Sequence, residues 1–162
     1  MLKQWICVAV MALSCVVMTG CSSGGAASSS QTDVLAVTPV TILSRSAGND
    51  AAFKDTGVYL ANSAAELEKL GAESLAGLQV DFDSQSVIVL AQGECSSGGY
   101  WVHIDAIQRL GDTIYVQATA NVPTGTTTQA QTYPYEAVVV SKIKGLLLPE
   151  VTQVEGKEHP AD

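Results

Sequence analysis

The chain has 162 residues, which is enough for one domain with a core of its own. Sixteen acidic residues against eight basic ones give a formal net charge of −8. This acidic balance excludes binding to nucleic-acid phosphates through a basic surface.

The N-terminus carries the parts of a bacterial export signal in order. Lys3 supplies a positive charge, residues 5–17 are almost uninterrupted apolar sequence, and small residues precede Cys21. An apolar run of this length is typical of a signal peptide and is too short for a permanent transmembrane helix. Because a Thr-Gly-Cys sequence ends the run like a bacterial lipobox, we expect a lipoprotein signal peptide over residues 1–20 and lipid on Cys21. The alternative is an ordinary secretory signal that is cleaved near Ala27.

Several acyl chains on Cys21, palmitate among them, would anchor the mature chain to a membrane more firmly than a single chain does. Ser22 is not the aspartate that commonly retains lipoproteins in the inner membrane. We therefore expect the outer membrane of a bacterial envelope, facing the periplasm. Residues 21–37 are then the acylated cysteine and a flexible Gly/Ser linker. Cleavage would remove only Lys3 among the charged residues, which leaves a net charge of −9.

The cysteines limit how the mature chain can be stabilised. Cys7 and Cys15 would leave with the signal and Cys21 would be acylated, so Cys95 would stand alone. No internal disulfide is expected, and the domain has to hold itself together by burial. A lone thiol in an oxidising compartment is either sheltered or available to another chain, and we favour the sheltered thiol.

The remaining sequence predicts one globular domain over residues 38–154. Short β-branched or alternating segments indicate strands, and Ser63 with Glu66 forms a capping box that begins a helix. We expect an α+β fold: a mostly antiparallel curved β-sheet or half-barrel of about six strands, packed on one helix over residues 63–76. The tail at 155–162 is charged and predicted to fray. The predicted strands are 39–44, 57–61, 86–91 (a continuous apolar run, expected at the centre of a sheet), 100–104, 114–118 and 137–140. Residues 45–56 are predicted as a loop, and the Gly-Asp sequence at 111–112 is predicted as a hairpin turn.

Residues that suggest catalysis are few. The two histidines are His103, on a predicted strand, and His159, in the predicted tail. The usual spacings of metal ligands and of activated serine or cysteine nucleophiles do not occur. We therefore expect no catalytic residue, no metal and no cofactor, and an enzyme is the disfavoured class.

Two loops with special backbone chemistry stand next to aromatic residues. A Gly-Gly pair lets the chain turn sharply before a Tyr-Trp pair, which we expect at a sheet edge. A Tyr-Pro-Tyr sequence precedes the last predicted strand, and its aromatic–proline bond favours the cis form more than most. On the residues alone two interpretations stay open: a rigid recognition edge, or corners that only specify the fold. The candidate partner-binding residues are Gly98, Gly99, Tyr100, Trp101, Tyr133, Pro134 and Tyr135.

The second half of the chain contains four motifs in the order DF, SVIVLAQGE, GGYWVHI and TYPYEAVVVSK, with a Pro- and Thr-containing loop before the last. This order resembles the C-terminal domain of the PrcB family, the protease-complex stability lipoproteins, over residues 81–142. At 94–97 the chain departs from the family pattern, since Glu-Cys-Ser-Ser stands where a Thr or Pro is expected. The resemblance implies a lipid-anchored, non-catalytic subunit that binds and stabilises a cell-surface protease. The matching positions are Asp81, Phe82, 86–91, Gly93, 98–100, Ile104, Pro123, 126–128 and 133–142.

Two other functions stay open beside a binding module. A Gly-aromatic loop on a small β domain is similar to the loops with which chagasin-like inhibitors enter the cleft of cysteine proteases, although the NPTTGY pattern of those inhibitors is missing. The other function is a structural envelope lipoprotein whose loops only specify the fold. A binding module is the favoured hypothesis, with a protease or another envelope protein as partner.

Overall fold

The computed structural model describes residues 36–160. The predicted signal peptide and Cys21 lie outside the described residues, and so does the predicted linker except for its last two residues. No helix within 36–160 is long and apolar enough to cross a membrane. The elements are β1 (Thr38–Pro39), β2 (Ile42–Asn49), β3 (Gly57–Ala61), α1 (Ala64–Lys69), a 3-10 turn (Glu73–Leu75), β4 (Gln85–Ala91), β5 (Trp101–Leu110), β6 (Thr113–Val122), β7 (Pro134–Ser141) and β8 (Leu146–Glu155).

These strands form two four-stranded sheets. Sheet I has the order β1-β5-β6-β8, and sheet II has the order β2-β7-β4-β3. Neighbouring strands are antiparallel except β6 and β8, which are parallel. A tight turn joins β5 to β6 at Gly111, whose φ of 59° suits glycine. This is the hairpin that the Gly-Asp sequence predicts.

The main core combines inward side chains from both sheets, because alternate residues of a strand point to the same face. Ile114, Val116 and Ala118 of β6 follow the predicted alternation and are all buried. Ile88 and Leu90 of β4 join them from sheet II. The two sheets are thus held by apolar contact between their inner faces.

A second core covers the other face of sheet II. Val87 and Val89 of β4 belong to it, together with Phe53, Leu75 and Tyr135. β4 is therefore buried on both faces, and it lies between β7 and β3. The continuous apolar sequence of β4 reflects these two cores, which confirms the prediction of a central strand.

The helix is shorter than the sequence predicts. Ser63 is the N-cap, and its Oγ accepts a hydrogen bond from the N–H of Glu66 at 3.2 Å. The carboxylate of Glu66 in turn accepts from the N–H of Asn62 at 2.6 Å. α1 nevertheless ends early, because Gly71 adopts a φ of 69° that a continuing helix does not allow. The 3-10 turn follows separately, so the prediction of one helix over 63–76 is wrong in length.

The predicted half-barrel of about six strands is replaced by eight strands in two sheets among the described residues. β2 continues to Asn49 through a segment predicted as a loop, because its polar sequence pairs with β7 over most of its length. In β8 two side chains are half-buried and the other eight are exposed. Its sequence therefore lacks the alternating apolar pattern that indicates a strand.

β8 is the outer strand of sheet I and carries a proline near its centre. The N–H of Leu146 donates to the carbonyl of Asp112 at 2.8 Å. The backbone groups of Leu146, and of every second residue after it, therefore face β6. Pro149 belongs to the other set, whose backbone groups face away from β6. Because proline has no N–H, this edge lacks a donor that an added strand would use.

The described chain ends by turning back over sheet I. The N–H of Gly156 donates to the carbonyl of Val122 at 3.0 Å, and residues 157–160 follow. The stretch predicted to fray, 155–162, thus contains the last residue of β8 and a segment that makes contacts of its own. Those contacts involve Trp101 and belong to the candidate site.

Candidate functional site

The Gly-Gly loop and the segment before β7 are joined by backbone hydrogen bonds. Cys95 and Thr132 form an isolated antiparallel bridge, with N–H to carbonyl distances of 2.8 and 2.9 Å. The N–H of Gly98 donates to the carbonyl of Thr128 at 3.0 Å, and the Thr132 hydroxyl donates to the carbonyl of Ser97 at 2.8 Å. Two segments that are far apart in the sequence are therefore fixed side by side.

The two glycines are required by close packing within this pair of segments. A Cβ atom on Gly98 would overlap the hydroxyl of Thr128. Gly99 has a φ of 87°, and a Cβ there would lie 3.0 Å from Cβ of Pro123. Glycine is thus needed at both positions to seat the loop that follows β6. Gly98 and Gly99 position the site and do not line it.

One cleft brings together aromatic residues from both segments. It has a volume of about 320 Å³, and we call it the aromatic cleft. Tyr100 and Trp101 reach it at the start of β5, while Pro134 and Tyr135 reach it at the start of β7. Four of the seven predicted partner-binding residues therefore meet in one place. The lining residues are Ala47, Gly48, Asn49, Tyr100, Trp101, Val102, Pro134, Tyr135 and His159.

The Tyr-Pro-Tyr residues differ in role. Tyr133 does not line the cleft, and its carbonyl accepts from the N–H of Asp50 at 3.1 Å. Tyr135 is almost fully buried, and its ring packs against Phe53 with a centroid distance of 4.9 Å. Tyr135 is therefore mainly a core residue that closes the floor of the cleft. No peptide bond in residues 36–160 is cis, so the bond before Pro134 is trans.

Trp101 forms the exposed wall of the cleft and contacts the end of the chain. β1 pairs only with Gln108 and Arg109 of β5, so Trp101 lies at an unpaired edge of sheet I, opposite Asn121 of β6. The indole N–H of Trp101 donates to the carbonyl of Lys157 at 3.1 Å. Its ring also meets the imidazole of a tail histidine.

Asn121 links the tail to the Gly-Gly loop. This side chain is buried, and its Nδ2 donates to the carbonyl of Gly99 at 3.0 Å. Its Oδ1 accepts from the N–H of Lys157 at 2.9 Å. His159 then packs edge-on against Trp101, with ring centroids 5.2 Å apart, and lies 6.0 Å from the ring of His103. The sequence did not indicate Asn121 or the tail as parts of this site.

A buried ion pair lies behind the cleft. Glu136 of β7 is fully buried, and its carboxylate accepts from Nη1 of Arg45 at 2.8 Å. Nδ1 of His103 is 3.3 Å from the same carboxylate oxygen. A carboxylate without partners is costly to bury, so the contact with Arg45 is what allows Glu136 to lie in the core.

The same two side chains satisfy the backbone of Ile104. β5 has a β-bulge between Ile104 and Ala106, where β1 no longer pairs with it. The N–H of Ile104 donates to Glu136, and its carbonyl accepts from Nη1 of Arg45 at 2.9 Å. Side chains from sheet II therefore replace the missing strand and connect the two sheets. The sequence offered one signal for this buried pair, because Glu136 stands at an inward position of an otherwise apolar strand.

Cys95 is sheltered. Its side chain is buried, and Sγ lies 3.7 Å from the carbonyl of Gly93. Burial raises the pKa of the Cys95 thiol above its usual value, which lowers the fraction of reactive thiolate. The favoured prediction for this cysteine is therefore confirmed.

A larger apolar cavity of about 560 Å³ lies on the helical side of sheet II. Leu67, Leu78 and Phe82 contribute to its walls, and Glu68 and Glu73 stand among them. None of the predicted partner-binding residues lines this cavity. The aromatic cleft is therefore the candidate site.

Comparison with known proteins identifies a family for part of the chain. A family model described as PrcB C-terminal matches residues 86–141, from β4 to the end of β7. No curated protein and no solved structure matches the chain. The matched segment contains the Gly-Gly loop, the β5–β6 hairpin and the Tyr-Pro-Tyr sequence. The resemblance seen in the sequence is thereby confirmed for residues 86–141, which are similar to the PrcB C-terminal family.

Proposed function

We propose that this chain is a lipid-anchored, non-catalytic protein of the bacterial envelope whose aromatic cleft binds and stabilises a partner protein, an exported protease. The convergence of Tyr100, Trp101, Pro134 and Tyr135 on one cleft carries this proposal. All four residues belong to the PrcB C-terminal region, a family associated with a protease complex. Aromatic side chains are also enriched at protein interfaces.

The chemistry of the cleft supports recognition more than catalysis. Trp101 offers a flat ring and an indole donor, and Tyr100, like Trp101, is half-buried beside it. The nearby carboxylate of Glu136 is already engaged by Arg45 and by the N–H of Ile104. A general base has to reach the proton that it removes from its substrate, and the side chain of Glu136 is fully buried.

Photo-crosslinking tests the cleft directly. A photoreactive amino acid replaces Tyr100 in the full chain, and the matched control carries it in place of Tyr115, which lies on β6 outside the cleft. We expect crosslinks to an exported protease from position 100 and not from position 115. The half-life of that protease should shorten in a strain that lacks this chain. Identical crosslinks from both positions would refute the cleft as the binding site.

The same preparation separates the alternatives. Nanomolar inhibition of papain-like proteases that is lost in Trp101→Ala would replace the stabiliser with a chagasin-like inhibitor. Absence of any crosslinked protein, with Trp101→Ala changing only the folding stability, would leave a structural envelope lipoprotein. Protease inhibition, crosslinking and the folding stability of Trp101→Ala together distinguish these outcomes.

The anchor has a test of its own. Cys21→Ala should abolish labelling by radioactive palmitate, while Cys95→Ala should leave the labelling unchanged. A lipid tether would confine the cleft to the envelope and so raise its effective concentration near membrane-associated partners. Normal labelling of Cys21→Ala would remove the lipid anchor from the proposal.

A further inference from the structure

We propose that residues 157–160 act as a strap that occupies the partner's place in the aromatic cleft, and that the partner enters as an extended peptide segment presenting a ring to Trp101. This inference rests on the proposed function and names the chemistry of the partner at the same site. It explains why a segment of polar composition contacts the half-buried Trp101.

The strap is directed over the cleft by a turn built for glycine. Gly156 has a φ of 60°, a conformation that other residues rarely adopt. A Cβ at this position would also overlap the side chain of Thr124. The chain therefore leaves β8 in one defined direction, toward the start of β5, where Trp101 lies.

The contacts of the strap are those of a bound peptide. The carbonyl of Lys157 accepts from the Trp101 indole, and the N–H of Lys157 donates to Asn121 at 2.9 Å. Both bonds use the peptide backbone of the strap, so an extended segment of any sequence can form them. His159 adds the one side-chain contact, with its ring edge-on to Trp101. The site thus recognises one backbone N–H, one backbone carbonyl and one side-chain ring of the bound segment.

The strap is held weakly enough to be displaced. Residues 157–159 are exposed and belong to no helix or strand. β8, by contrast, pairs with β6 along its whole length and stays in place when the strap opens. Segments with few buried contacts are the ones that open locally in a folded domain.

The remaining space and the charge define the displacing segment further. With the strap in place the cleft still has a volume of about 320 Å³, which leaves room for a larger side chain than His159. The chain has a net charge of −8, whereas the strap is neutral overall, because Lys157 and Glu158 offset each other. A partner segment with an aromatic ring and basic residues therefore fits the site best.

A peptide-binding experiment on the full chain tests the strap. The probe is a synthetic peptide with the sequence EGKEHP of residues 155–160, and the readout is the indole N–H resonance of Trp101. The chain has two tryptophans, so Trp101→Phe assigns the signal. His159→Ala, which removes the ring of the strap, should bind the peptide at least about fivefold more tightly than the unchanged protein, because less of the site is occupied. The matched control is Glu158→Ala, an exposed neighbour that should bind like the unchanged protein.

The outcomes separate this inference from the proposed function. If the peptide binds His159→Ala no more tightly than the unchanged protein, or if isothermal titration calorimetry shows that its binding survives Trp101→Ala, the strap inference is overturned. In that case protease crosslinking from position 100 remains as evidence for the proposed function. If the peptide behaves as expected but the protease does not crosslink, the strap stands and the partner is a different protein.

Discussion

Nη1 of Arg45 lies 2.8 Å from the carboxylate of Glu136, and this pair bridges the two sheets beneath the aromatic cleft. The same nitrogen of Arg45 also donates to the carbonyl of Ile104. It thus replaces a hydrogen bond that a neighbouring strand would otherwise make. One buried ion pair therefore both fills a gap in the core and sets the position of β5. Trp101, which lines the cleft, lies on the same strand.

Loss of Arg45 should be costly. In Arg45→Ala the fully buried carboxyl group of Glu136 loses its ion-pair partner, and breaking a buried pair in this way typically destabilises a protein by about 3 kcal/mol. Urea denaturation measures the change in the free energy of unfolding. The control is Arg109→Ala, whose pair with Asp112 is exposed and 4.0 Å long, and which should cost less than about 0.5 kcal/mol. Equal costs for the two variants would show that the buried pair has no structural role.

Gly98→Ala should destabilise the Gly-Gly loop by about 1–3 kcal/mol, because the new methyl group overlaps the hydroxyl of Thr128. Adding Thr128→Ala should restore part of this stability, so the two changes couple in a double-mutant cycle measured by thermal unfolding. Gly77→Ala is the control, since a Cβ at Gly77 meets no atom within 4 Å. Additive effects at Gly98 and Thr128 would contradict the packing described for the loop.

Pro149→Val should promote self-association through β8. The substitution gives the outer edge of sheet I a backbone N–H donor, and it sits in a strand where Leu148 and Val151 are already exposed. We expect concentration-dependent dimers or aggregates in size-exclusion chromatography with light scattering. Thr152→Val is the control, because it raises the β-propensity of the same strand without adding an edge donor. A Pro149→Val protein that stays monomeric would show that the proline does not protect this edge.

Asp50 should contribute stability that depends on pH. Hydrogen bonds from the N–H of Ala52 and from the side chain and N–H of Ser74 hold the pKa of its carboxyl below the usual 3.8. Because the pKa is lower in the folded state, the contribution is present above pH 3.8 and is lost as the pH falls through the folded-state value. The difference in melting temperature between the unchanged protein and Asp50→Asn should therefore shrink on acidification.

Asp55→Asn serves as the control for that measurement, since it removes the same charge from the same exposed segment but none of these hydrogen bonds. Its melting temperature should differ little from that of the unchanged protein at neutral pH. A difference for Asp50→Asn that stays constant down to low pH would show that these hydrogen bonds do not favour the charged carboxylate.

Several parts of the fold were predictable because their signals are local. The apolar run of β4, the alternation of β6 and the cap at Ser63 can each be recognised from residues that are neighbours in the chain. β8 was not predictable, because its ten residues, eight of them exposed, are held as a strand by pairing with β6. α1 ends early because of one residue, Gly71, and the apolar pattern does not predict the conformation of that residue.

By itself the sequence determined the central strand, the hairpin at Gly111, the aromatic residues of the candidate site and the PrcB C-terminal resemblance, because each is written in neighbouring residues. Only the tertiary structure decided that Tyr100, Trp101, Pro134 and Tyr135 share one cleft, and that the strap at 157–160 covers part of it. It also decided that Arg45 reaches Glu136. These relationships join residues that are tens of positions apart, and their partners are selected by how two sheets pack, which no local pattern of apolar and polar residues records.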